Sequence, residues 1–336
     1  MTDLSRITGG IAGAMIGDAL GALTETLTRE QIRTTYGGWI TGFVPNDHTP
    51  FGQRRTLGAI TDDASLLLAM TRACLDGPSL ATVVRELLSW ADDPTYSQFC
   101  GPSTSRAIAR LRAGDDPAIV GLGSPESFTG ASNGGGMKAA PAGWLHPGDP
   151  QAAARTAALL CTPTHRTDLG IAGAAAVAGA CAMAMTGSEV EVIVEGAIEG
   201  ARVGHEIGRR EGRTVAGPDP VRRLTQAVDI AQRATSLEAA VDDLADFVGA
   251  GIAAMEAVPT AIGLVVAAGG DPVRTAVAAA NIGDDTDTVG CMATAIAGTM
   301  SGSAAFPDDW LDLVQRVNGI RIAPLAEQFV VRLGRG

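Results

Sequence analysis

A chain of 336 residues with 37 acidic and 25 basic side chains has a formal charge of −12. That balance excludes a broad nucleic-acid-binding face, because neutralising phosphates requires clustered Lys and Arg. The five cysteines, Cys74, Cys100, Cys161, Cys181 and Cys291, are odd in number, far apart and free of any CxxC pair, so they read as reduced thiols of a cytoplasmic enzyme and not as a disulfide framework or a zinc site.

The N-terminal stretch from Met1 to Arg6 lacks the basic and apolar regions of a secretory signal. Helical apolar periodicity is expected over residues 5–23, 64–75, 80–91, 103–113, 150–161, 169–185, 190–213, 220–234, 261–268, 272–282 and 288–301. Residues 34–58 and 114–149 read as long loops, the first punctuated by Gly37-Gly38, Pro45-Asn46-Asp47 and Pro50-Phe51-Gly52. Residues 169–187 carry no charge, yet they are mostly Ala and Gly, which suits a tightly packed core helix better than a membrane span. No run alternates as a strand does. Aromatics make up 4% of the chain while glycine supplies 43 residues, many inside Ala-rich helical runs, where each costs about 1 kcal/mol against Ala. Such use implies close backbone approach between helices. The expected architecture is all-α, a single compact domain of orthogonally packed helices over residues 1–336.

Acidic groups recur at helix starts. Gly13, Gly17 and Gly21 share one helix face, with Glu25 one step further along the row. Glu25 there is either a solvated end to a packing stripe or a carboxylate delivered into a site. Thr61-Asp62-Asp63 opens an apolar run and reads as a cap with helix N-terminal acids or as metal ligands. In Asn281-Ile282-Gly283-Asp284-Asp285-Thr286-Asp287-Thr288-Val289-Gly290, three carboxylates and two hydroxyls crowd together before a stretch uncharged as far as Phe306. Repulsion among them exceeds what one cap returns unless a cation offsets it, and the donors are hard oxygens of the type Mg²⁺, Mn²⁺ or Ca²⁺ takes. Between these acids, Ser132-Asn133-Gly134-Gly135-Gly136-Met137-Lys138 forms a turn that either cradles a phosphate with backbone N–H groups or simply bends. His165, in Thr164-His165-Arg166, is either structural or a ligand contact.

Taken in order, Gly13 to Glu25 (GxxxGDALGxxxE), Thr61-Asp62-Asp63, Asn133-Gly134 with Met137-Lys138, Thr164-His165, and Asp285-Thr286-Asp287-Thr288 followed by Gly290, Gly298 and Gly302 resemble the ADP-ribosylglycohydrolase family, which includes dinitrogenase reductase activating glycohydrolase and the ADP-ribosyl-acceptor hydrolases. The resemblance runs from Ile11 to Gly302. It implies an all-helical fold with two Mg²⁺ ions in a cleft, Mn²⁺ being an alternative. Carried over, the metal ligands are Thr61, Asp62, Asp63, Asp285, Asp287 and Thr288. Glu25 is the acid/base candidate at the scissile bond, and Asp62 and Asp285 are further candidates to take the proton of the attacking water. Asn133, Gly134, Gly135, Gly136 and His165 would contact phosphate and ribose. The implied activity is removal of ADP-ribose from a modified protein or small molecule, with no nucleic-acid or membrane partner. The alternatives are a glycosidase acting on another ribosylated metabolite or nucleoside and a non-catalytic ADP-ribose binder; the intact acids count against the last. Four positions depart from the pattern: Asp284 stands where Gly is common, Ser132 where Gly is common and Lys138 where Arg is frequent, and Phe99 where arginine-directed members carry an acid.

Overall fold

The computed structural model describes residues 1–45, 55–124, 128–187 and 189–334. Its helices are α1 (Asp3–Gly21), α2 (Arg29–Tyr36), α3 (Asp62–Leu75), α4 (Leu80–Ala91), α5 (Pro94–Ser97), α6 (Pro102–Arg112), α7 (Pro117–Val120), α8 (Ala140–Trp144), α9 (Pro150–Cys161), α10 (Asp168–Ala184), α11 (Val190–Glu211), α12 (Pro220–Arg233), α13 (Leu237–Phe247), α14 (Ala254–Ala267), α15 (Pro272–Ala280), α16 (Thr286–Ser301), α17 (Asp308–Asn318) and α18 (Ile322–Leu333). Among the described residues no strand forms, only isolated bridges between Ser132 and Ala253 and between Thr167 and Arg213. The all-helical expectation therefore holds.

The sequence pattern passes over several helices for identifiable reasons. α2 is polar, burying only Ile32, and is held by a capping box between Thr28 and Gln31 and by Gly37 in the left-handed region at its end. α14 starts seven residues earlier than expected because Pro259 reads as a breaker, whereas the burial of Ala257 through Val265 holds the helix through it. α13, α17 and α18 are amphipathic, and the last two seat Trp310, Val314, Ala326 and Phe329 in the core. The stretch expected as a loop at 114–149 contains α7, α8 and a 3₁₀ turn at Asn133–Gly135. The turns expected at 45–47 and 50–52 lie, apart from Pro45, outside the described residues.

The main apolar core runs from Ile7 in α1 to Phe329 in α18, with a small second cluster of Ala131, Leu169, Ala254 and Met255. The axis of the main core is α1 laid against α16, glycine upon backbone. A Cβ on Gly9 would stand 2.2 Å from the Gly298 carbonyl oxygen, one on Gly13 2.0 Å from that of Thr294, one on Gly17 2.1 Å from that of Gly290, and one on Gly21 2.3 Å from that of Thr286. No side chain fits at those distances. The row of small residues thus fixes how closely the helices approach, as the four-residue spacing implies. α10 packs on α11 in the same manner, with Gly179 against Gly196 and Gly200 against Ala175. All of α10 except Met183 is buried, as expected of a core helix. Among the described residues no helix is long and apolar enough to cross a membrane.

Replacing Gly13 by Val must push α1 away from α16, and overpacking against backbone should cost at least about 3 kcal/mol in urea unfolding. Gly101, the N-cap of α6, where an added Cβ meets nothing within 4 Å, is the control: Gly101→Ala should cost no more than about 1 kcal/mol, the scale of a cap change alone. Equal effects would show that the α1–α16 contact is not tight in solution.

Candidate functional site

The close approach of α1 to α16 has a direct electrostatic consequence. Asp18, fully buried in the glycine row, is carried against the start of α16, where Asp285 occupies the cap position and Asp287 the first turn. Asp18 accepts from the Thr61 backbone N–H with both oxygens at 3.0 Å and from that of Ala64 at 2.9 Å, so it caps α3 from a different helix. This pins α3 with Asp62 and Asp63 in its first turn. The Thr61 hydroxyl accepts from the Asp63 N–H at 3.1 Å and donates to Asp63 Oδ2 at 2.8 Å; the Thr288 hydroxyl donates to Asp63 Oδ1 at 3.0 Å. Carboxylate oxygens of Asp18, Asp63 and Asp287 then lie within 4.8 Å of one another, all three residues buried, in an arrangement that can hold a metal ion. Asn133 Nδ2 donates to Asp285 Oδ2 at 2.6 Å.

Glu25 reaches this cluster by a turn, not by the helix. α1 ends at Gly21, two residues before the expected limit, and the chain folds back through Thr24, whose hydroxyl donates to the Ala280 carbonyl at 2.7 Å. Thr26 N–H donates to the Asp284 carbonyl at 2.8 Å, and Asp284 N–H to that of Leu27 at 2.9 Å. Thr26 and Asp284 have positive φ, 68° and 65°, a conformation that is costly for residues other than glycine and is held here by this reciprocal pair. The extra acid at 284 thus occupies a backbone position suited to glycine. Glu25 Oε2 is buried with no hydrogen-bond partner among the described residues.

Burial is the main influence on Asp18, Glu25, Asp62, Asp63 and Asp287 and disfavours their charged forms. It pushes Asp18 and Glu25 up to about 7 and Asp62 up to about 6. Asp63 and Asp287 are held well above the usual carboxylate range, by burial first and then by neighbouring acids, Asp62 foremost at Asp63 and Glu25 foremost at Asp287. Arg55 opposes the trend at Asp18, Glu25 and Asp62, and its guanidinium lies over the Phe99 ring, 4.6 Å from the centroid.

A cavity of about 420 Å³ opens beside the cluster, lined by Glu25, Asp62, Asp63, Asp284, Asp285, Asp287 and Thr288 on the acidic side. Ser132, Asn133, Gly134, Met137 and His165 line another side, and the exposed apolar residues Phe99, Phe128 and Ile252 also border it. The structure therefore brings together nearly all the residues singled out in the sequence. Thr61 stands behind Asp63 as the cap of α3. Gly135 and Gly136 lie a layer behind the wall. A Cβ on Gly135 would meet Cys161 Sγ at 3.2 Å and one on Gly136 would meet Met292 Sδ at 2.7 Å, while the Gly136 N–H donates to the Asn133 carbonyl at 2.7 Å. Their demand for glycine comes from packing. The sequence reading missed Asp18 as a member of the acidic cluster and Arg55 as its positive neighbour. The signal for Asp18 was a lone carboxylate in the apolar, glycine-spaced part of α1 that follows Thr8; Arg55 sits in a loop without pattern.

An all-helical fold with a carboxylate-lined cavity between its helices defines a glycoside-hydrolase-type enzyme here, because the family model for ADP-ribosylglycohydrolase matches residues 1–335. The chain belongs to the ADP-ribosylglycohydrolase family. It is 35% identical over 309 residues to the uncharacterized Escherichia coli (strain K12) protein YegU, covering 88% of both chains. To the ADP-ribosylhydrolase ARH3 of Homo sapiens it is 28% identical over 333 residues, covering 91% of this chain and 88% of that one. A solved structure described as an ADP-ribosylglycohydrolase-related protein complex superposes with a TM-score of 0.66 at 22% identity, over 99% of this chain and 98% of the other, which establishes likeness of fold.

The raised carboxyl groups fix the sign of a pH effect in metal-free protein. Groups whose pKa rises on folding, from about 4 to about 6 at Asp62 and to about 7 at Asp18 and Glu25, contribute stability that is complete below about pH 4 and lost as pH rises through 6 to 7. Protein treated with a chelator should accordingly melt at a lower temperature at pH 8 than at pH 5.5. A melting temperature that rises over this interval would contradict the electrostatic account.

Proposed function

We propose that this chain is a divalent-cation-dependent hydrolase that removes ADP-ribose from a modified protein or small molecule. The observation that carries the reading is the buried carboxylate cluster beside a cavity lined by Glu25, whose buried Oε2 has no hydrogen-bond partner among the described residues. Such a cluster is costly as bare anions, and its donors are all oxygens, which matches the preference of Mg²⁺ with Mn²⁺ as substitute. Asp62, Asp63, Asp285, Asp287, Thr61 and Thr288 would hold two such ions, with Asp18 supporting Asp63 and Asp287 from behind. When bound, the ions would lower the pKa of a water and fix ribose hydroxyls.

The residues of the chain supply the rest. Cleaving a bond to ribose builds positive charge at the anomeric carbon, which the surrounding carboxylates stabilise. Glu25, with a pKa raised to about 7, suits proton transfer at neutral pH, either accepting from the attacking water or donating to the leaving atom. Asp62 and Asp285, which line the same cavity, are further candidates to accept the water's proton. Asn133, hydrogen-bonded to Asp285, ties the glycine turn to the acids, and Gly134 and His165 border the space where phosphate and ribose would lie. Phe99 and Phe128 offer flat apolar rings for a base. A volume of about 420 Å³ falls in the range of sites for ligands of this size. Kinship with proteins named ADP-ribosylhydrolase supports the ADP-ribosyl group over a simpler riboside.

The test is incubation with Mg²⁺ and a panel of ADP-ribosylated proteins, ADP-ribosylated small molecules and ribosylated metabolites, reading released ADP-ribose or ribose. Release of ADP-ribose is expected; release of ribose alone from nucleosides would move the assignment to another ribosidase, and no release from any member would sink it. On the accepted substrate, Glu25→Gln should lower kcat at least about 100-fold while ligand affinity changes little. Unchanged turnover would make Glu25 a bystander.

A further inference from the structure

Behind the cavity wall lies a lysine that the acidic cluster does not explain. Lys138 is 1% exposed, and among the described residues its ammonium makes one hydrogen bond, donating to Thr164 Oγ1 at 2.6 Å. Thr164 Oγ1 is 2.9 Å from His165 Nδ1, and His165 Nε2 is 2.9 Å from Ser132 Oγ. Thr164 and His165 are buried; Ser132 is half-buried and borders the cavity. Four side chains thus form one unbroken line from a buried cation to the ligand space.

The donors along that line can be assigned from chemistry. An ammonium has no acceptor, so Thr164 Oγ1 accepts from Lys138. If the threonine also accepted from His165, its own proton would be buried without a partner, which is expensive. The threonine hydroxyl therefore donates to Nδ1. His165 is neutral, because burial and the Lys138 charge hold it well below its ordinary pKa, so it carries a single ring proton. That proton is on Nε2 and is donated to Ser132 Oγ. Ser132, with an acceptor site filled from behind, keeps its own proton for the cavity. Each bond polarises the next in the same direction.

We propose that Lys138 is a positioning residue that acts through Thr164 and His165 to present the Ser132 hydroxyl to the cavity as a hydrogen-bond donor for a phosphate oxygen. The identity of that oxygen rests on the ADP-ribosyl reading above; the order of donors does not. Ser132 and Lys138 are also the two positions at which this turn departs from the family pattern, and they stand at the two ends of one chain of hydrogen bonds.

The experiment uses the full-length protein labelled with ¹⁵N-histidine, which has four histidines to resolve. His165 should be in the Nε2–H form in the wild type, keep it in Lys138→Arg, and shift towards Nδ1–H in Lys138→Met and in Thr164→Val. ADP-ribose affinity, measured with Mg²⁺ present, should fall about fivefold in Ser132→Ala and by a similar factor in Lys138→Met. The double variant should bind no more weakly than Ser132→Ala alone. A wild-type Nδ1–H tautomer overturns the relay whether or not any variant folds, and additive losses in the double variant overturn the link between Lys138 and Ser132. Absence of ADP-ribose binding in a wild type that shows the Nε2–H form overturns the ADP-ribosyl reading and leaves the relay standing.

Discussion

The contact on which the rest depends is backbone against backbone, α1 upon α16. With Gly17 and Gly290 packed face to face, a Cβ on either would stand 2.1 to 2.3 Å from the other's carbonyl oxygen. At that separation Asp18 and Asp287 have no room to avoid each other, and Asp18 still reaches across to cap α3 and bring Asp63 into the same space. The loss of side-chain burial along the glycine row is offset by position: three helices deliver carboxylates to one point. A bulkier row would give an ordinary apolar helix pair and a dispersed set of acids.

The second layer is electrostatic. Dense packing of small residues excludes water, so Asp18, Asp63 and Asp287 are buried and their charged forms disfavoured. Hydrogen bonds from Thr61, Thr288 and Asn133 orient Asp63 and Asp285 without neutralising them. Arg55 supplies one opposing charge from the other side. The remaining imbalance is what a bound cation would correct, so the feature of the fold that destabilises the metal-free protein would also create an affinity for metal.

Much of this was legible in the sequence because the relevant signals are local. Glycine spacing of four, threonine before paired aspartates and acids ahead of an uncharged helix each encode geometry within a few residues, and the resemblance to a family joined them in order. What stayed hidden depends on tertiary contact. Asp18 looked like part of a packing stripe, since its partners Thr61 and Ala64 are more than forty residues away. Glu25 was expected on the helix row, but the helix stops at Gly21 and a turn held by Asp284 places it. Gly135 and Gly136 read as phosphate contacts, whereas Cys161 and Met292, distant in sequence, are what require glycine there. α14 continues through Pro259 because burial outweighs the local rule. Lys138 and His165 gave no hint that a threonine joins them.

The central claim is that the α1–α16 contact builds an acidic cluster made to hold divalent cations. Equilibrium dialysis of the chelator-treated, folded protein against Mg²⁺ and Mn²⁺ tests it directly, with Asp63→Asn as the comparison. The account predicts one or two ions bound per chain in the wild type and loss of that binding in the folded Asp63→Asn protein. A folded wild type that binds neither ion at millimolar concentration, or an Asp63→Asn protein that binds them unchanged, would contradict it.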